Sequence, residues 1–103
     1  MGIFMRIIQQ FDPAHEVDFM MLEKKFAMLE KERSDFPKGR RLQPLSGGEP
    51  ANSLIWQCEF PDMDTAYKDL DFFSGDEEHE ALFRQQVIFM KQVRIDFYKT
   101  LDY

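Results

Sequence analysis

The stretch Ser53-Leu54-Ile55-Trp56-Gln57-Cys58-Glu59-Phe60 is followed at once by Pro61-Asp62. Its residues are β-branched, aromatic and apolar, and a proline stops it, so it reads as a strand. Leu54, Trp56, Cys58 and Phe60 point to one side, and Ile55, Gln57 and Glu59 to the other, as the pleat demands. One side is therefore apolar and the other mixed. A strand of this kind belongs to a sheet with helices on one face only.

Other elements follow on either side. Ile3 to Phe11 is a second apolar run, ended by Asp12-Pro13. Asp12 is placed to cap a helix, with Pro13 in its first turn. From His15 onward, Phe19, Leu22, Phe26 and Leu29 recur at spacings of a helical stripe, with Glu23, Lys24, Lys31 and Glu32 expected elsewhere on the helix. Phe36-Pro37-Lys38-Gly39 ends that helix. Arg40 to Leu45 is strand-like, and Ser46-Gly47-Gly48-Glu49-Pro50 is a turn. After the central strand, Asp62 caps a helix with Met63, Ala66, Leu70 and Phe73 on one stripe, broken at Ser74-Gly75. Asp76 caps the next helix, whose apolar face is Leu82, Phe83, Val87 and Met90. Finally, Gln92 to Leu101 alternates Val93, Ile95 and Phe97 against Arg94, Asp96 and Tyr98, a period of two and hence a strand.

The order is strand, helix, strand, strand, helix pair, strand. This predicts an α+β, ferredoxin-like βαββαβ domain covering residues 1–103, with a four-stranded antiparallel sheet and helices on one face. Composition limits what such a domain does. With 103 residues and a net charge of -6, the chain is a single domain without the basic patch that nucleic acid requires. The lone cysteine, Cys58, excludes an internal disulfide and a cysteine-based zinc site and is expected to pack as a small hydrophobe. No apolar run spans a membrane and no signal peptide is recognised, so a cytoplasmic location is expected. Neither of the two histidines, His15 and His79, has a partner at metal-ligand spacing, and no metal is expected.

The face turned away from the helices carries Phe4, Arg6, Ile8, Ile55, Gln57, Glu59, Arg94, Asp96 and Tyr98. Its four apolar side chains, at roughly 100 Å² each, make a large patch for a monomer. Covering them is worth on the order of 10 kcal/mol before association costs. A homodimer through this face is therefore expected.

On the strand Ser53–Phe60 with its Glu59-Phe60-Pro61 end, the helix bearing Ala66, the segment Asp76-Glu77-Glu78-His79 and the closing strand Val93 to Leu101, the chain resembles the dimeric α/β-barrel superfamily of antibiotic-biosynthesis-monooxygenase-like and NIPSNAP-like domains. The resemblance implies two sheets facing each other in a shared barrel. It also allows several functions: cofactor-independent oxygenase, haem-degrading oxygenase, isomerase, or no catalysis. Haem-degrading relatives bind iron through a histidine of the helix corresponding to that of His79, with an asparagine from the first strand and a tryptophan. Here the only asparagine is Asn52, outside the first strand, and Trp56 is expected in the core. No haem or other cofactor is expected.

Two readings of the charged residues remain open. Arg6, Glu59, Arg94 and Asp96 form either a salt-bridge network that registers the dimer or a polar pocket for a small anionic or phenolic ligand. In the pocket reading Arg6 or Arg94 clamps an anion, Asp96 or Glu59 is a base, and Tyr98 donates a hydrogen bond. His79 is the remaining catalytic candidate, and is read as a partly exposed helix histidine at or beyond the edge of such a site. The favoured function is a dimeric ligand-binding barrel. The alternatives are a cofactor-independent monooxygenase or isomerase acting on a small aromatic or lactone, and an ACT-type regulatory domain. The latter wants a glycine loop where this chain has Asp12-Pro13-Ala14-His15.

Overall fold

The computed structural model describes Gly2 to Tyr103. Its elements are β1 (Ile3–Phe11), α1 (Glu16–Glu32), β2 (Arg40–Leu42), β3 (Ser53–Phe60), α2 (Met63–Gly75), α3 (Glu77–Gln86) and β4 (Met90–Lys99). Single 3-10 turns at Pro13–His15 and Val87–Phe89 precede α1 and β4. The caps form where the sequence places them. Asp12 Oδ1 accepts from the Ala14 N–H at 3.0 Å, Asp62 Oδ1 from Thr65 N–H at 2.8 Å, and Asp76 Oδ2 from His79 N–H at 3.0 Å. Each satisfies a donor that the first helical turn leaves without a partner.

The four strands pair antiparallel in the order β2-β3-β1-β4, the ferredoxin-like α+β arrangement read from the sequence. Met5 stands between Cys58 and Phe97, and Ile7 between Trp56 and Ile95. This register puts Met5, Trp56, Cys58 and Phe60 in one buried cluster with Ala66 of α2, joined by Leu70, Phe73 and Phe97. Phe11, Phe19 and Leu54 form a second, with Phe11 and Phe19 stacked at 4.6 Å between ring centroids. Each fully buried side chain of this size contributes about 1.5–3 kcal/mol.

Two element boundaries differ from the sequence reading. The edge strand β2 stops at Leu42 instead of Leu45, because Pro44 has no N–H to offer a ladder. The helix expected to run through Val87 and Met90 ends at Gln86. Val87 and Ile88 are β-branched and disfavour the helix, and Met90 instead pairs with Phe11 as the first residue of β4.

The outer sheet face is less bare than alternation alone suggests. Ile8 and Ile55 are only 5% and 8% exposed within one chain. A cleft bounded by Ile8, Ser53, Gly48, Glu49 and Pro50 shows what covers that face: the β2–β3 loop lies on it. The Glu49 carboxylate holds the loop there through Arg94, 2.7 Å away. Gly47 turns the loop with φ +118, a backbone shape that favours glycine. The expected four-residue apolar patch thus shrinks to Phe4, half-buried, and Tyr98, which is 46% exposed. Among the described residues no helix is long and apolar enough to cross a membrane.

Candidate functional site

The five residues expected to bind a ligand lie on the outer face. Arg6 Nε donates to Gln57 Oε1 at 2.8 Å, and its guanidinium lies 5.3 Å from the centre of the Tyr98 ring. Arg94 Nε donates to Asp96 at 3.0 Å, and Tyr98 Oη contacts the same carboxylate at 3.5 Å. Glu59 is exposed. The strands bring these groups into neighbouring rows, where Arg94 pairs with Asp96 and Glu49 and Arg6 is held by the neutral Gln57. Of the five, only Arg94 borders a recess, the cleft of about 240 Å³ under the β2–β3 loop.

A second, partly open pocket lies on the opposite side of the sheet. A cavity of about 140 Å³ lies between β1, β3 and β4 and the helices α1 and α3. Its walls are largely apolar and aromatic: Ile7, Phe26, Trp56, Phe73, Phe83 and Val93. Its polar groups are Gln9, Glu23, Glu30, Arg41, His79 and Gln86. It opens where the helix layer stops short of β4, leaving Val93 49% and Ile95 41% exposed.

One wall is a continuous ionic network. Arg41 Nε donates to Glu23 Oε2 at 2.6 Å, while its Nη1 and Nη2 donate to the two Glu30 oxygens at 3.0 and 2.6 Å. Glu23 Oε1 also accepts from Gln86 Nε2 at 2.8 Å, and Glu30 Oε1 from Trp56 Nε1 at 3.3 Å. Burial alone would lower the Arg41 pKa, but the Glu30 hydrogen bonds and the Glu23 and Glu30 charges reverse this and raise it. Arg41 is therefore a fixed cation with every nitrogen in use. Two carboxylates face it, leaving this wall one negative charge in excess.

His79 closes another wall. Its ring lies 5.2 Å from Phe73 in a stacked arrangement, 4.9 Å from Phe26 and 6.1 Å from Phe36. Its side chain is 19% exposed, and Nδ1 is buried without a hydrogen-bond partner, because Glu80 Oε1 at 3.8 Å is out of reach. Gln9 Oε1, also in the cavity wall, is buried and unpartnered too. Burial lowers the His79 pKa, and Glu80, Glu30 and Asp76 recover only part of that fall. The imidazole is neutral at pH 7. His79 is partly exposed, as read from the sequence, and desolvation beside three aromatic rings outweighs the acidic groups around it.

Glu23, expected off the apolar stripe, and Glu30 are both turned inward. Glu23 is 5% exposed and the Glu30 side chain 12%. Arg33, of the same helix end, bridges Asp35 at 2.7 Å and Asp76 at 2.8 Å and lies over Phe36 at 4.7 Å. It ties the end of α1 to the cap of α3 and so holds the start of the His79 helix. Lys31 and Glu32 are exposed as expected. The signal for the carboxylates was in their spacing. Glu23 and Glu30 are two helical turns apart and flank Phe26 and Leu29 of the stripe. In β2, alternation turns Arg41 toward Trp56, its partner in register.

The other reactive side chains are quiet. Cys58 is buried, and burial foremost, then Asp69, Glu30 and Glu59, pushes its thiol up to about 11, so it is no nucleophile at neutral pH. His15 is exposed beside Phe89. Among the described residues no group of three or more His, Cys, Asp or Glu side chains could hold a metal ion. Haem does not fit either. The first strand offers Gln9 to the cavity, not an asparagine, and a volume of about 140 Å³ compares with the roughly 150 Å³ that accepts one benzene.

No protein-family model matches the chain, and no curated protein matches it. Solved structures do. A NIPSNAP family protein from Agrobacterium tumefaciens superposes with a TM-score of 0.82 at 10% identity, over 100% of this chain and 96% of that one. An uncharacterized NIPSNAP domain protein from Burkholderia xenovorans gives 0.79 at 13% identity, over 100% and 97%. An antibiotic biosynthesis monooxygenase gives 0.72 at 10% identity, over 97% and 99%. At such identities the likeness is one of fold. The chain has the ferredoxin-like fold of the NIPSNAP and antibiotic biosynthesis monooxygenase proteins.

Proposed function

We propose that the protein binds a small organic ligand in the cavity between its sheet and helices, and that it does so as a homodimer of the α/β-barrel type. The observation that carries the first part is the pair of unpartnered buried atoms, His79 Nδ1 and Gln9 Oε1, at a partly open and mostly apolar pocket. An unmade hydrogen bond of this kind costs about 1–3 kcal/mol, which a ligand with a suitably placed donor returns. The dimer is supported by Phe4 and Tyr98 on the outer face and by the surface pairs around Arg6, Arg94 and Asp96.

Trp56 is the only tryptophan of the chain and stands in the cavity wall, so it reports occupancy directly. Titration with single-ring compounds should shift its fluorescence and its indole N–H resonance. A Trp56 signal that no such compound moves at millimolar concentration sinks the binding reading. Sedimentation should give twice the 12.3 kDa chain mass at micromolar concentration. A species of one chain only would refute the dimer.

A second reading has its own support. A neutral imidazole in a largely apolar pocket is a suitable base for withdrawing a proton from a carbon or phenol acid, and a monooxygenase shares this fold. Conversion of a quinol-like compound by the purified protein, lost in His79→Ala, is the result it requires.

A further inference from the structure

The site proposed above also has a chemical preference. We infer that the cavity takes a small organic monocation built on one aromatic ring, of the arylmethylammonium kind, and discriminates against carboxylates of the same shape. This rests on the ligand-binding reading and adds the charge and size of the ligand to it.

Size comes first. A volume of about 140 Å³ holds a single six-membered ring with a short substituent, by comparison with the roughly 150 Å³ cavity that takes up benzene. The walls come next. Phe26, Phe73, Phe83 and Trp56 present ring faces and edges, which pack well on a flat ligand and attract positive charge over a face.

Charge decides the class. Glu23 and Glu30 face the single cation Arg41, and the arrangement is one positive charge short. Each Arg41 nitrogen is already turned to one of these carboxylates, and an incoming carboxylate would deepen the charge imbalance of this partly buried wall. The unpartnered buried groups agree. Gln9 Oε1 is an acceptor, and His79 Nδ1 is one as well when the ring proton sits on Nε2. They call for a ligand that donates, and an ammonium group offers three N–H bonds and the missing charge together.

The test uses three probes of one shape: benzylammonium, benzyl alcohol and benzoate, titrated at pH 7.5 and constant ionic strength with Trp56 as reporter. Benzylammonium should bind at least about tenfold tighter than benzyl alcohol, with benzoate weakest. Glu30→Gln should remove about tenfold of the advantage of the ammonium over the alcohol. Equal affinity of ammonium and alcohol, or tighter benzoate, overturns the inference while the cavity remains a binding site. Failure of all three probes overturns the binding reading together with it. Should Glu30→Gln not fold, the ranking of the probes on the unaltered chain decides alone.

Discussion

Replacing Arg41 with methionine is the most direct perturbation of the cavity wall. Methionine keeps the length and apolar stem of the side chain but removes the donors that hold Glu23 Oε2 at 2.6 Å and both Glu30 oxygens at 3.0 and 2.6 Å. The two carboxylates are then left 7% and 12% exposed by side chain, with only Gln86 and Trp56 as donors. Breaking a buried ion pair from one side costs about 3–5 kcal/mol. Arg41 is itself 21% exposed, so water reaches the site, and about 3 kcal/mol is the expected loss. For a chain of this size each kcal/mol moves Tm by about 4–8 °C, which predicts a fall of about 12–24 °C. Urea unfolding followed by Trp56 fluorescence, with circular dichroism as a second probe, measures it. The companion variant Arg41→Met with Glu23→Gln and Glu30→Gln removes the stranded charges and should recover more than half of the loss. A single variant within 0.5 kcal/mol of the parent, the ordinary range of a surface change, would refute the account of a buried network. So would a triple variant no more stable than the single one.

Three further outcomes follow from individual residues. His79 titrates below its unfolded value of 6.5 because burial dominates, so the unfolded chain binds more protons as pH falls through 6.5 toward the folded value. Stability should fall with pH in that window and be level above it, and His79→Phe should flatten the slope; a urea midpoint independent of pH between 7 and 5 would contradict this. Asp76, whose backbone N–H contact from His79 and pairing with Arg33 outweigh burial and lower its pKa below 3.8, acts in a separate and more acid window. Gly39→Ala places a Cβ 2.2 Å from Trp56 Cε2 and should cost about 1–3 kcal/mol by forcing the indole off its seat, read from the thermal midpoint. Cys58, 6% exposed with a thiol pushed up to about 11, should resist a disulfide reagent in the native chain and react on unfolding in urea.

The order of elements was legible because period-two and helical stripes leave strong marks in a short chain. Ile3, Met5 and Ile7 on one strand and Trp56, Cys58 and Phe60 on the next were assigned to one face by alternation, and the register Met5 to Cys58 joins them. What covers a face is a different matter. Alternation placed Ile8 and Ile55 on the outer side correctly, but nothing periodic announces that Glu49, in an irregular loop, reaches Arg94 and covers them. The cavity was missed for a related reason. Glu23 was placed off the apolar stripe by residue type and Arg41 was read only as part of a strand, whereas their positions, Glu23 on the buried side of α1 and Arg41 opposite Trp56 in β2, decide their surroundings. The aromatic neighbours of His79, namely Phe26, Phe36 and Phe73, come from separate parts of the chain and leave no mark in the sequence around it.

The ionic wall raises a question that stability alone does not answer. A buried trio of two carboxylates and a guanidinium is often matched or exceeded by apolar side chains of the same volume, because desolvation consumes most of the attraction. Phe26, Trp56 and Phe73 already supply such packing around it. An apolar trio would have closed the space; the charged one borders it. The network is also unbalanced, with one guanidinium against two carboxylates, and lies next to an imidazole that burial keeps uncharged. A structural salt bridge would be expected to neutralise itself. A wall with one negative charge in excess, beside buried acceptors without donors, is an arrangement whose missing component is a donor carrying positive charge. The recovery expected in the triple variant and the probe ranking test the two halves of this reasoning separately. If the triple variant regains stability yet loses its preference for benzylammonium, the charges are kept for the ligand at no gain to the fold.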